Sequence, residues 1–177
     1  LISQALSFCK DTAYKNGRFG YASPGTGGNM TGVGTVAMQL MGMGHAREVQ
    51  AALETISKER LDIYEKVKSN PSTFGEVASK SLYGWYYDTQ AMFNKGDKEW
   101  RNWQKVFEDV LIKAQKPDGH WEVSEGVAAD PILATTWACL QLEVYYRYLP
   151  TFDINKMDQH KAPSGTGIED DVNLIIQ

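Results

Sequence analysis

Lys15-Asn16-Gly17-Arg18-Phe19-Gly20-Tyr21 leads into Thr31-Gly32-Val33-Gly34-Thr35-Val36-Ala37-Met38-Gln39-Leu40, and Pro117-Asp118-Gly119-His120-Trp121-Glu122-Val123 leads into Leu133-Ala134-Thr135-Thr136-Trp137-Ala138-Cys139-Leu140-Gln141-Leu142. At an offset of 102 residues, without a gap, Gly17 falls on Gly119, Phe19 on Trp121, Gln39 on Gln141 and Leu40 on Leu142. A glycine-aromatic turn followed by an apolar helix therefore occurs twice, which marks a repeat. Gln90 lies 51 residues from both Gln39 and Gln141 and halves the period, although the middle copy lacks the glycine-aromatic turn.

The helices between these turns are of two kinds. Over 100–116, Trp100, Trp103, Val106, Phe107, Val110, Leu111 and Ala114 share one side, while Arg101, Lys105, Glu108, Asp109 and Lys113 take the other. That is the spacing of an outer helix with one buried face. Over 131–149, Leu133, Trp137, Leu140, Val144 and Tyr148 make one apolar stripe, and Thr135, Cys139, Leu142, Tyr146 and Leu149 make a second. A helix apolar on two faces must be covered on both, so it is an inner helix. The same alternation predicts outer helices over 2–14 and 45–57 and inner helices over 31–43 and 82–95. A linker over 58–80 is expected to hold a short helix over 60–68 and a turn with a helix start at Asn70-Pro71-Ser72-Thr73. Gly42, Gly44 and Gly96 stand where helices stop, and Gly17 and Gly119 open the turns. Strand-like alternation is scarce, so the fold class is all-α, with helix pairs stacked as a solenoid or a closed ring.

With 177 residues, 42% hydrophobic and 23% charged, the chain is long enough for one core and one main domain. Lys and Arg number 18 against 22 Asp and Glu, a net charge of -4 without a basic stripe. That balance argues against nucleic acid and anionic membranes as partners. No window reaches the ~18 apolar residues of a spanning helix, so a soluble protein is expected. Leu1-Ile2-Ser3-Gln4-Ala5-Leu6-Ser7-Phe8-Cys9 reads as mid-helix with no cap before it, the pattern of a piece of a longer protein or of a chain that has lost a signal peptide. Localisation stays open between cytoplasmic and secreted or periplasmic. Cys9 and Cys139 lie in apolar helical patterns without a CxxC and are expected to be buried free thiols. His45, His120 and His160 share no metal-ligand spacing with one another or with a cysteine. No metal and no cofactor are expected.

Gln115-Lys116-Pro117-Asp118-Gly119-His120-Trp121 has the form Gln-x3-Gly-x-Trp and resembles the QW repeat of squalene-hopene and oxidosqualene cyclases. The first turn looks like a decayed copy, with Ala13 in the glutamine position and Phe19 for the tryptophan. Tyr21-Ala22-Ser23-Pro24-Gly25 with Thr31-Gly32-Val33-Gly34, Trp85-Tyr86-Tyr87-Asp88-Thr89-Gln90-Ala91-Met92-Phe93, and Leu142-Glu143-Val144-Tyr145-Tyr146-Arg147-Tyr148-Leu149-Pro150 are similar to bacterial prenyltransferase/squalene-oxidase repeat proteins, over 1–150. The resemblance implies an α/α toroid of concentric inner and outer helices. Three helix pairs make a partial ring, whose remainder would come from a longer chain or from a second copy in a homo-oligomer. Residues 151–177 are expected to form a polar tail or docking arm. Gly17, Phe19, Gln115, Gly119 and Trp121 are read as structural residues of the turns. In the second turn Gly119 is expected at positive φ, Trp121 to stack over the end of the outer helix, and Gln115 to bond backbone groups left unpaired there.

The chemistry of the relatives is not matched. Cyclases carry Asp-x-Asp-Asp, whereas Ile168-Glu169-Asp170-Asp171 has isoleucine in the first position. Protein prenyltransferases hold zinc through Asp-x-Cys and a distant histidine, yet Trp137 precedes Cys139 and Ser7 precedes Cys9 by two residues. Asp88, on an inner helix, is the candidate acid or ligand-hydroxyl partner. Its alternative is a carboxylate satisfied by a tyrosine hydroxyl or a helix N-terminus. Trp85, Tyr86, Tyr87, Trp137 and Tyr145 are candidates to line a pocket for an isoprenoid or other apolar ligand, or else are core. Glu143 and Arg147 have the spacing of a helical ion pair. Gly25-Thr26-Gly27-Gly28 lacks the lysine and the preceding strand of a phosphate loop, and Asn29-Met30-Thr31 fits the glycosylation pattern. The expected function is a terpenoid-cyclase-like toroid module binding an apolar small molecule or a protein partner on its concave inner face. The alternative is an isoprenoid-processing enzyme, cyclase-like or prenyltransferase-like, with Asp88 as its acid.

Overall fold

Apolar residues recurring every three to four positions give seven α-helices among the described residues. The computed structural model describes residues 1–27, 29–79 and 81–147, without the side chains of Val127, Tyr146 and Arg147. The expected tail over 151–177, with its Ile168-Glu169-Asp170-Asp171 string, and the Glu143–Arg147 pairing lie outside the described residues. In chain order, α1 (Ile2–Ser7) runs into a π-helical segment (Phe8–Ala13), then a hairpin of β1 (Tyr14–Lys15) and β2 (Arg18–Phe19). There follow α2 (Met30–Leu40), α3 (Arg47–Ser69), a 3-10 turn (Pro71–Thr73) leading into α4 (Phe74–Ala78), α5 (Leu82–Lys95) and α6 (Asp97–Ala114). A second 3-10 turn (Val127–Ala129) precedes α7 (Pro131–Arg147). The fold is mostly helical, as expected of the all-α class.

The helices form two layers. α2, α5 and α7 lie side by side, with α5 in the middle, while α3 and α6 pack on each other behind them. α5 is covered on nearly every side: Leu82, Gly84, Trp85, Tyr86, Asp88, Thr89, Gln90, Ala91 and Met92 are all buried. α6 buries Trp100, Trp103, Phe107, Val110 and Leu111 and turns its charged residues outward. One layer is therefore amphipathic and the other apolar on more than one face.

Three expectations need correction. Helices predicted over 45–57 and 60–68 are one helix, α3, whose buried stripe runs through Val49, Leu53, Ile56, Arg60, Tyr64 and Val67. Arg60 occupies a stripe position, so charge interrupts the apolar pattern while the backbone continues. The first turn is a true hairpin, with Tyr14 opposite Phe19 and Lys15 opposite Arg18. Asn16 at φ 50° and Gly17 at φ 77° make its two-residue turn, the left-handed pair that an Asn-Gly dipeptide favours. Cys9 and Cys139 are free but only half-buried.

The inner layer is closest where α2 crosses α5. A Cβ on Gly32 would lie 2.5 Å from Asp88 Oδ1 and 2.6 Å from the Asp88 backbone nitrogen. Gln39 ties the same pair of helices, donating from Nε2 to the Ala91 carbonyl at 3.1 Å and accepting from Asn94 Nδ2 at 3.1 Å. Among the described residues no helix is long and apolar enough to cross a membrane.

Candidate functional site

The repeat turns cover helix ends. Gly119 has φ +95° and its N–H donates to the Lys116 carbonyl at 2.9 Å. Gln115 Nε2 donates to the Gly119 carbonyl at 2.7 Å, so the glutamine braces the turn from within. Trp121 is 2% exposed, and its indole N–H donates to the Leu111 carbonyl in the last turn of α6 at 2.8 Å. Its backbone N–H donates to Thr135 Oγ1 of α7 at 3.1 Å. In the first copy, Phe19 is equally buried and lies so close to α2 that a Cβ on Gly34 would sit 2.2 Å from its ring. Tyr14 meets Phe19 edge-on at 5.4 Å, and its hydroxyl accepts the Gly17 N–H.

Asp88 faces the outer layer. It is 1% exposed, and its Oδ2 accepts from Arg60 Nε at 2.9 Å and lies 2.7 Å from Arg60 Nη2. The partner that sequence reasoning missed is thus a charged residue in the stretch read as a linker. Burial pushes the Asp88 carboxyl up to about 6, against the pull of the Arg60 guanidinium. Oδ1 rests against Gly32 and has no partner meeting hydrogen-bond geometry. The Arg60 guanidinium also lies 5.8 Å from the Trp85 ring centre. Trp85 meets Tyr64 edge-on at 4.9 Å and Phe74 at 6.0 Å, and Trp103 donates its indole N–H to Thr89 Oγ1 at 3.2 Å. Burial pushes the Tyr64 hydroxyl well above its ordinary range.

The remaining candidates gather elsewhere. Tyr86, Tyr87 and Trp137 join Tyr83 in a ring cluster between α5 and α7, with Tyr83–Trp137 at 5.1 Å, Tyr83–Tyr87 at 5.0 Å, Tyr86–Tyr87 at 5.0 Å and Tyr86–Trp137 at 5.4 Å. The residues singled out from the sequence therefore separate, with Trp85 and Asp88 in the packed interior, Tyr86, Tyr87 and Trp137 at this cluster, and Tyr145 39% exposed on α7. Tyr83 was not among them. Its signal was available, since it stands three and four residues before Tyr86 and Tyr87 on one helix.

Tyr83 and Trp137 line a cleft of about 510 Å³. Leu82 and Ala128 add apolar wall, and Asn29, Ser79 and Ser81 supply neutral polar groups. No charged residue lines it among those described. The wall at Gly126 and Ala128 is held by Ser79, whose Oγ accepts the backbone N–H of Ser124 at 3.0 Å and of Glu125 at 3.2 Å and donates to the Gly75 carbonyl. Asp88 does not line this cleft. No family model, curated protein or solved structure matches this chain. The geometry of the Gln115–Trp121 turn is that of a helix brace.

Two smaller features complete the survey. His120 lies between Asp118 at 2.6 Å and Glu122 at 3.1 Å on the second turn, and both carboxylates raise its pKa, Glu122 most. Its ring nitrogens face different carboxylates, and among the described residues no group of three or more His, Cys, Asp or Glu could hold a metal ion. A groove of about 420 Å³ between α3, α5 and α6 is lined by Leu53 and Met92 with Lys58, Lys95, Glu54 and Glu99 around them, a mixed-charge surface without a dominant sign.

Proposed function

We propose that this protein is a helical-repeat binding module, three inner and outer helix pairs in the manner of a partial α/α toroid, that holds a neutral apolar ligand in the cleft at Tyr83 and Trp137. The carrying observation is that cleft: about 510 Å³, walled by two aromatic rings and two aliphatic side chains, with a few uncharged polar groups at hand. Ligand sites are typically concave and mostly apolar, of roughly 300–1,000 Å³, with a small number of polar groups that orient the ligand. Tyr83 is 37% exposed and Trp137 half-buried, so both rings are open to a ligand that stacks on them. The resemblance of the repeat turns to those of isoprenoid cyclases supports an apolar ligand of the same general kind.

The enzyme reading gives Asp88 the role of acid, and its surroundings favour a structural role instead. Both guanidinium contacts go to Oδ2, and Oδ1 is packed on a glycine. A general acid must come within hydrogen-bond reach of its substrate. The binding reading is tested by titrating apolar aromatic compounds against the wild type and against Tyr83→Ala and Trp137→Ala, following the indole N–H resonance of Trp137 where it is present. Each substitution is expected to weaken binding by about tenfold or more. Undiminished binding in both variants overturns the assignment of the cleft.

A further inference from the structure

Gln141 lies on α7 one turn beyond Trp137. It is 0% exposed, yet neither Nε2 nor Oε1 has a hydrogen-bond partner among the described residues. A buried polar group without a partner is destabilising, and such groups in a native fold call for an explanation. The repeat shows what the position can do when it is satisfied. Gln39, 102 residues earlier, uses both ends of its amide, donating to Ala91 and accepting from Asn94.

Helical geometry connects this amide to the cleft. Residues four apart are neighbours on one helix face, and long side chains lean toward the helix N-terminus, over the preceding turn. The Gln141 amide therefore reaches back toward Trp137, which lines the cleft. The fully buried residues of α7 N-terminal to it, Ala134 and Ala138, carry only methyl groups.

We infer that the cleft extends past Trp137 into the seam between α5 and α7, with Gln141 as its polar end. The ligand is then a neutral molecule with an apolar body and a terminal group that both donates and accepts a hydrogen bond, an amide or an alcohol. This inference rests on the binding reading above. The polar groups that the described residues bring to the lining, Asn29, Ser79 and Ser81, are neutral hydrogen-bonding groups and suit an uncharged terminal group. The apolar body stacks on Tyr83 and Trp137, and the terminal group fills the amide that the fold leaves unpaired.

The test compares para-butylbenzamide with butylbenzene, which share one apolar body. Calorimetry on the wild type is expected to show the amide binding about tenfold tighter or more, the value of one well-made buried hydrogen bond. Gln141→Leu is expected to erase that preference while still binding butylbenzene, and, with the unmet amide gone, to melt at a higher temperature than the wild type without ligand. Gln141→Met serves in the same way should the leucine variant fail to fold. Equal affinities in the wild type, a preference that survives in both variants, or variants that melt below the wild type each overturn the role of Gln141 and leave the cleft reading standing. Failure of both probes to bind overturns both readings.

Discussion

Asp88 carries a carboxylate into the middle of α5 and meets Arg60 there, so its energetics and its pH response are joined. Its pKa is raised from 3.8 to about 6, with burial the leading cause. The folded protein therefore keeps a proton that the unfolded chain releases between those values, and the stability due to this group is greatest below pH 4 and is lost as pH rises through 6. At about 1.4 kcal/mol per unit, the loss is of the order of 3 kcal/mol. Urea melts from pH 4 to pH 7 are expected to show this slope in the difference between the wild type and Asp88→Asn. A difference that stays flat with pH would place the titrating group elsewhere. At pH 7 the same variant, a neutral stand-in for the protonated carboxyl that burial favours, is expected to compare more favourably with the wild type than it does at pH 4. Trp121→Ala is a second residue-scale case: it removes a 2%-exposed indole and its bond to the Leu111 carbonyl, and is expected to cost roughly 3–5 kcal/mol. An unchanged urea midpoint would refute the brace. The buried carboxylate on an inner helix was legible in the sequence, but its partner was not, since Arg60 lies 28 residues upstream in a stretch whose charge suggested solvent.

Helices were readable where side chains kept one rule along their length. α5 and α6 were legible because apolar runs and a clean stripe, respectively, follow the helical period. α3 was not, because Arg60 takes a place that the stripe would give to an apolar residue, and the period alone does not reveal that a charge is satisfied by another helix. Two-residue strands are too short for alternation to appear, so the hairpin could be read only from Asn16-Gly17. What couples the elements is close approach. Gly32→Ala would force a methyl to 2.5 Å from Asp88 Oδ1 and 2.6 Å from the Asp88 nitrogen, driving α2 from α5 at a cost of about 1–3 kcal/mol. The loss should appear together with faster amide exchange in both helices. Exchange that quickens in α2 alone would mean that the glycine is not a contact between them. The cleft was only half legible: its aromatics could be marked, but its wall depends on Ser79 holding Ser124 and Glu125, a pairing across 45 and 46 residues that no local pattern encodes.

Across the whole molecule, burial is graded from the centre outward. α5 touches α2, α3, α6 and α7, and nine of its residues are buried, whereas α1 and the π-helical segment after it contain no buried residue. A stack in which each repeat met only its neighbours would open from its ends by small, separable steps. Here the central helix is shared by both layers, so the units that contact it should unfold together. Local opening free energies follow the number of buried contacts, from near zero at frayed segments to the global value in the core. Native-state hydrogen exchange is therefore expected to separate two classes. Amides of Ile2–Ala13 should exchange by local opening, insensitive to low urea. Amides of α2, α5 and α6 should share one slow class whose opening free energy falls with urea at the global slope. If α6 instead exchanged as a separate unit well below α2, the outer layer would be a weakly docked shell, and the Trp103–Thr89 and Trp121–Leu111 hydrogen bonds would not be enough to join it to the centre.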